Sequence, residues 1–265
     1  MLLGIFDSGF GGITVLNQVL KRHGNVPVLY LADTARVPYG NKTTLEIRSI
    51  AREVVSWLES QNISALLVAC NTTNSLALDL VKKISSVPVF TLINSASQMI
   101  REKRVGVLAT QATISSNAYK ETIHFYYPET FIVQQSCPEL VPLIESGHLN
   151  STQLRKVAMN YLAPLIKQEV DSIIMGCSHY PLIEPVLKQL LPSHVRLIDP
   201  AIGISRKLDS ILGPPKSATS SSISLSNTRI VSTSDPEKFA YQARSWIDNV
   251  PEIKRISLLT KTCLF

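Results

Sequence analysis

Long hydrophobic runs are missing from this sequence, charge is sparse and cysteines are few. Each shortage removes a class of protein. No apolar stretch approaches the roughly 18 residues that a membrane helix needs. Only 17% of the 265 residues are charged, against 45% hydrophobic. Disorder and coiled coil are thereby excluded as readings of the whole chain, and eleven glycines are too few for collagen. The opening residues, MLLGIFD, carry neither a basic leader nor a long apolar segment. The expectation is a soluble, cytoplasmic protein with no membrane partner. The four cysteines, at 70, 137, 177 and 263, form no CxxC pair, and their gaps are too long for a small disulfide scaffold. A reduced compartment is the better reading. The length suits one large domain or two small ones, with a core that needs no metal or disulfide staple.

The net charge is +6, and nine Lys/Arg against five Asp/Glu after residue 205 supply +4 of it. An anionic partner is one reading of such an excess. These basic residues are scattered and not interleaved with aromatics, as a single-strand platform requires. The pattern is that of a solvated basic face, and nucleic acid is not the expected partner.

Short apolar runs alternate with helical stretches. The runs Leu2–Phe6, Pro27–Leu31, Ala65–Ala69, Val87–Leu92, Arg104–Leu108, Thr130–Val133, Ser172–Met175 and Val195–Ile198 read as strands. Several are apolar at nearly every position, as in parallel sheets covered on both faces. Thr43-Thr44-Leu45-Glu46 is a capping box opening a helix to about Ser60. Asp199-Pro200 and Asp235-Pro236 each place an N-cap Asp before a Pro at the first helical position. The class is α/β.

A faint internal repeat organises the chain. ALLVACNT (65–72) resembles SIIMGCSH (172–179), each an apolar strand followed by a small residue, a Cys and polar residues. The cysteines are 107 apart, Asp7 and Thr110 are 103 apart, and Asp33 and Cys137 are 104 apart. These offsets predict two similar three-layer lobes with mostly parallel sheets and the active site in the cleft between them. Residues 94–206 form one lobe, and 1–93 form the other, joined by 207–265 packing back. The Ser/Thr-rich stretch from Gly213 to Thr228 reads as an exposed loop. Beyond it come a strand near Arg229–Ser232, a helix from Pro236 and a strand near Arg255–Leu259.

Ligands of parallel sheets bind beyond the carboxyl ends of the strands. Asp7-Ser8-Gly9, Cys70-Asn71-Thr72 and Cys177-Ser178-His179 lie at such ends. The glycines of Gly9-Phe10-Gly11-Gly12 bring backbone amides close to something at a helix start, where anions bind well. GxGxxG fails because position 14 is Thr, and a Walker loop fails around Gly40-Asn41-Lys42-Thr43. Cys177 and His179 lack a second ligand pair, so no metal is expected. A cysteine hydrolase needs one Cys with a His, which leaves the twin Cys unexplained. Two thiols facing each other explain both. One thiolate removes a proton from carbon and the opposite thiol returns one to the other face, which inverts a stereocentre. A free thiol, with a pKa of about 8.5, reaches both states near neutrality.

Six segments in order, GIFDSGFGGITVL (4–16), ADTARVPYG (32–40), VACNT (68–72), RVGVLAT (104–110), LVPLIESG (140–147) and MGCSHYP (175–181), resemble the glutamate racemase family. The likeness runs to about residue 212 and more weakly beyond. It implies a cofactor-independent isomerase interconverting L- and D-glutamate and supplying the D-isomer for peptidoglycan, hence for cell wall and cell shape. Carried over residue by residue, it makes Cys70 and Cys177 the acid/base pair. Asp7 supports Cys70, and His179 supports Cys177 with Glu145 nearby. Ser8, Pro38, Tyr39, Gly40, Asn71, Thr72 and Ser178 line the substrate, and Cys137 and Cys263 are structural. Two positions depart from the family: Ser178 replaces a Thr, keeping the hydroxyl, and Asn94-Ser95 stand where Glu-Pro is frequent. Alternatives left open are a racemase of aspartate or another acidic amino acid, a decarboxylase relative, and a two-lobed solute-binding protein without chemistry. Oligomeric state is also open, a homodimer being one arrangement.

Overall fold

The computed structural model describes residues 1–215, 224–244, 246–247 and 249–258. Ten strands lie among them: β1 (Leu3–Asp7), β2 (Val28–Ala32), β3 (Ala65–Val68), β4 (Val89–Thr91), β5 (Arg104–Ala109), β6 (Phe131–Ser136), β7 (Ser172–Gly176), β8 (Arg196–Ile198), β9 (Thr228–Ser232) and β10 (Ile253–Arg255). They form a six-stranded sheet, β10-β9-β2-β1-β3-β4, and a four-stranded sheet, β6-β5-β7-β8. Every pairing is parallel. The sequence β2-β1-β3-β4 in one sheet and β6-β5-β7-β8 in the other is one order used twice, so the faint repeat is architectural.

Strand alternation builds layers on both faces of the larger sheet. Leu3, Ile5, Val28, Tyr30 and Leu67 pack with Ile13, Leu16, Val19 and Leu20 of the helix Ile13–His23. Phe6, Leu29, Leu31, Leu66 and Val68 point the other way, against Ile47, Ile50, Val54 and Leu58 of the helix Thr44–Ser60. In the smaller sheet Val105, Val107 and Ile174 pack with Tyr119 and Ile123. Leu108, Ile173 and Met175 join Leu162 and Leu165 in the same apolar cluster that begins on β1. A continuous core therefore ties the two sheets together. Each fully buried Leu, Ile or Val in it contributes about 1.5–3 kcal/mol.

The capping residues behave as their types require. Thr43 accepts from the Glu46 amide while the Glu46 carboxylate accepts from the Thr43 amide at 2.8 Å. Asp199 accepts from the Ala201 amide, and Asp235 from the amides of Glu237 and Lys238. Thr43→Ala leaves the first turn of the helix without this partner, and a fall of about 2–3 °C in Tm is expected by calorimetry.

The final strand is not where the sequence reading puts it. β10 is Ile253–Arg255, in register with Ile230–Ser232, and Ile256 only extends the ladder with one amide bond to the Ser232 carbonyl. It is an edge strand with Lys254 and Arg255 exposed, so the apolar run Ile256-Ser257-Leu258 misled a search for buried strands. Residues 216–223 of the Ser/Thr-rich stretch, Leu259 and Cys263 lie outside the described residues. Asn94 sits in the helix Leu92–Ser97, where its Oδ1 accepts from Lys207 Nζ at 2.6 Å and its Nδ2 donates to the Tyr126 hydroxyl at 3.1 Å. No helix among the described residues is long and apolar enough to cross a membrane.

Candidate active site

Parallel strands end on one side of each sheet, and loops there carry the polar residues. β1 ends in Asp7 and Ser8, β3 leads to Cys70, β5 to Thr110, β6 to Cys137, and β7 to Cys177. These ends meet in a pocket holding about 570 Å³ of atom-free space. Ten of the twelve residues singled out in the sequence line it: Cys70 and Cys177; Ser8, Asn71, Thr72 and Ser178; His179; and the loop Pro38, Tyr39, Gly40. Asp7 is fully buried behind them, and Glu145 borders a neighbouring cavity.

Cys70 is the N-cap of the helix Asn71–Ile84 and is 4% exposed. Asn74 fixes that turn by donating to the carbonyls of Val68 and Cys70 at 2.8 Å, and it accepts from the Leu92 amide. Burial, aided by the negative charge of Asp7, pushes the Cys70 thiol up to about 12, against partial relief from Thr73 and Ser8. Cys177, 6% exposed, has its Sγ 3.7 Å from His179 Nδ1. The far side of the ring, Nε2, lies 3.1 Å from Glu145 Oε1. Burial opposes charge on His179, but its contacts with Cys177 and Glu145 outweigh burial and lift its pKa to about 10.

Asp7 is placed differently from the simple pairing with Cys70. Its carboxylate accepts from the Gly9 amide at 2.9 Å and from the Ser178 hydroxyl at 3.0 Å. It therefore clasps the residue after Cys177 while acting on Cys70 only through its field. Burial raises its pKa, against the opposing effects of His179, the Gly9 and Gly12 amides and Ser178.

None of Gly9, Phe10, Gly11 and Gly12 lines this pocket, and the amides of Gly9 and Gly12 serve the Asp7 carboxylate. The loop's closeness serves the protein's own groups. A Cβ on Gly11 would stand 2.7 Å from His179 Cε1, and one on Gly12 would stand 2.5 Å from Asp7 Cβ. Phe10 completes the wall, its ring edge-on to His179 at 5.0 Å.

Cross-sheet hydrogen bonds bind the two halves of the pocket. The Tyr119 hydroxyl donates to Asn71 Oδ1 at 2.7 Å, the Thr72 and Thr110 hydroxyls are 3.1 Å apart, and Thr14 Oγ1 donates to the Ser178 carbonyl at 2.9 Å. Asp33, also fully buried, accepts from the Tyr39 hydroxyl, from Arg36 and from Thr233, so the Pro38–Gly40 loop is moored to the end of β9.

Residues 13–203 match the family described as Asp/Glu/Hydantoin racemase. The chain belongs to that racemase family. A glutamate racemase of Synechococcus sp. (strain CC9605) is 51% identical over 254 residues, which is 95% of this chain and 96% of the relative. Among solved structures, a glutamate racemase of Bacillus anthracis superposes with a TM-score of 0.88 at 27% identity, over 97% of each chain. One from Francisella tularensis, in complex with D-glutamate, superposes with a TM-score of 0.86 at 30% identity, over 97% of each chain.

The lining residues that escaped the sequence reading are Val37, Asn41, Thr110, Gln111, Cys137, Pro138, Val141 and Pro142. The signal for Thr110 and Cys137 was present. Applying the strand-end rule to β5 and β6, as to their repeat partners β1 and β2, would have found both. Cys137 reaches the pocket, but its thiol donates to the Gln135 carbonyl and burial pushes its pKa far up. Its strand lies two away from that of Cys177, with Ser136, Ala109 and Gly176 in register. Among the described residues no group of three or more His, Cys, Asp or Glu side chains is arranged to hold a metal ion.

Proposed function

We propose that this chain is a cofactor-independent glutamate racemase, working in the cytoplasm to supply D-glutamate for peptidoglycan. The observation that carries the reading is the pair of thiols, Cys70 and Cys177, at equivalent strand ends of two sheets and bordering one pocket. The lobes that hold them are proposed as 1–93 plus 207–265 and 94–206. In the L-to-D direction the Cys177 thiolate takes the α-proton. The C–H electron pair delocalises into the substrate carboxylate, and the Cys70 thiol gives its proton to the opposite face. Cys70 is left as thiolate and Cys177 as thiol, the starting state for the reverse direction.

Supporting groups follow from their contacts. A thiol held at about 12 is a proton donor in the empty site. An amino acid's ammonium, arriving in the pocket, favours the thiolate when Cys70 must act as base. His179 keeps its proton between Cys177 and Glu145, ready to balance charge there. The Thr72 hydroxyl and the side-chain N–H groups of Asn71 offer hydrogen bonds to the substrate's carboxylates without fixed positive charge.

The test is incubation with L-glutamate in deuterated water after exhaustive dialysis and chelation. D-glutamate carrying α-deuterium is the expected product, formed faster than D-aspartate is formed from L-aspartate at equal concentration. A requirement for pyridoxal phosphate, or faster turnover of aspartate, overturns the reading.

A further inference from the structure

Thr73 follows Cys70-Asn71-Thr72 in the chain and does not line the pocket. Its side chain is completely buried, and its hydroxyl has no hydrogen-bond partner among the described residues, sulfur included. Buried hydroxyls without partners are rare, because the group has given up water for nothing. Valine has the same shape and avoids that cost, so packing gives no reason for threonine here. Thr73 follows Cys70 by three residues in the first turn of the helix, and its hydroxyl and backbone N–H favour the Cys70 thiolate against the effect of burial. Cys70 is the N-cap of a 14-residue helix and Thr73 is its third residue, the place from which an amide reaches back to a capping side chain. The helix N-terminus adds its partial positive charge at the same point.

We propose that Thr73 is a positioning residue whose hydroxyl donates to the Cys70 sulfur whenever that sulfur is a thiolate. The hydroxyl is an orphan in the resting thiol state because its acceptor exists only during half of the catalytic cycle. The inference rests on the two-thiol reading above, and it explains how a thiol sealed beside a carboxylate can carry negative charge.

Among the other side chains facing Cys70, only that of Ser8 shares this part. Asp7, from the end of β1, is the charged neighbour and opposes the thiolate. The Tyr30 hydroxyl already donates to the Gly9 carbonyl at 2.7 Å, and that of Tyr39 donates to Asp33. Ser8 and the Thr73 amide remain as donors after the Thr73 hydroxyl is removed. The loss is therefore partial, about one pKa unit or tenfold in thiolate at a fixed pH.

Thr73→Val, Thr73→Ala and Thr73→Ser separate this from a packing role. Alkylation of Cys70 by iodoacetamide, followed across pH by peptide mass spectrometry, is expected to move to higher pH by about one unit in the Val and Ala variants. It returns in the Ser variant, while the Tm of Thr73→Val is unchanged or higher. In a Cys177→Ala background, deuterium exchange into D-glutamate falls about tenfold with Thr73→Val and recovers with Thr73→Ser. An alkylation profile unmoved in both Val and Ala variants overturns the proposal. If the unmutated protein exchanges no glutamate proton at all, the racemase reading fails instead, and the alkylation profile still decides the role of Thr73.

Discussion

Cys70→Ala and Cys177→Ala are each expected to lower racemisation by about 10³-fold or more, while each keeps one half of the chemistry. Either change deletes the donor or the acceptor needed in both directions, and positioned acid/base groups contribute factors of about 10²–10⁴. A base reaches only the hydrogen on its own side of the carbon. The protein that keeps Cys177 should exchange the α-proton of L-glutamate with solvent, and the one that keeps Cys70 that of D-glutamate. Cys137 borders the same pocket, but its thiol is tied to the Gln135 carbonyl and lies two strands from Cys177. Cys137→Ala should change Tm more than turnover. The measurement is α-deuterium incorporation into each enantiomer separately. Near wild-type racemisation by Cys70→Ala would sink the two-thiol assignment and leave the repeat as architecture alone.

The second large effect comes from a residue with no side chain. Gly11→Ala should cost about 10²-fold in turnover, although the new methyl group touches no substrate. The added Cβ would lie 2.7 Å from His179 Cε1 and 2.8 Å from Cγ, so the ring must move. That ring is buried between Cys177, Glu145 and Phe10. A displacement of about 1 Å in a catalytic arrangement is enough for a 10²-fold loss. Overpacking adds about 1–3 kcal/mol of destabilisation. Gly9→Ala is the control, since a Cβ there meets only Glu145 Oε1 and Val37 Cγ2, both at 3.8 Å. Kinetics of the two variants side by side decide the matter: equal turnover would show that the loop's closeness to His179 has no catalytic consequence.

Much of this molecule was legible because it is local. Apolar runs of four to six residues announced parallel strands, since strands covered on both faces cannot alternate. The capping pairs Thr43–Glu46, Asp199-Pro200 and Asp235-Pro236 named helix starts, because backbone amides there need a nearby acceptor. The spacing of Cys70 and Cys177 pointed to the pocket that both border, since repeated units place like residues at like strand ends. β10 was misplaced because an edge strand need not be apolar.

What the tertiary structure alone decided lies where distant segments meet. Asp7 accepts from the hydroxyl of Ser178, 171 residues away, while it reaches Cys70 through its charge. The crowding of Gly11 against His179 and the mooring of Tyr39 to Thr233 through Asp33 are likewise invisible in any window of the chain. The unpartnered hydroxyl of Thr73 becomes apparent only when every neighbour has been placed. Strand and cap preferences are set by a few adjacent residues and the backbone's own geometry. The arrangement of the site depends on how two sheets pack through one shared core, and that packing is a sum over contacts distributed along the whole chain.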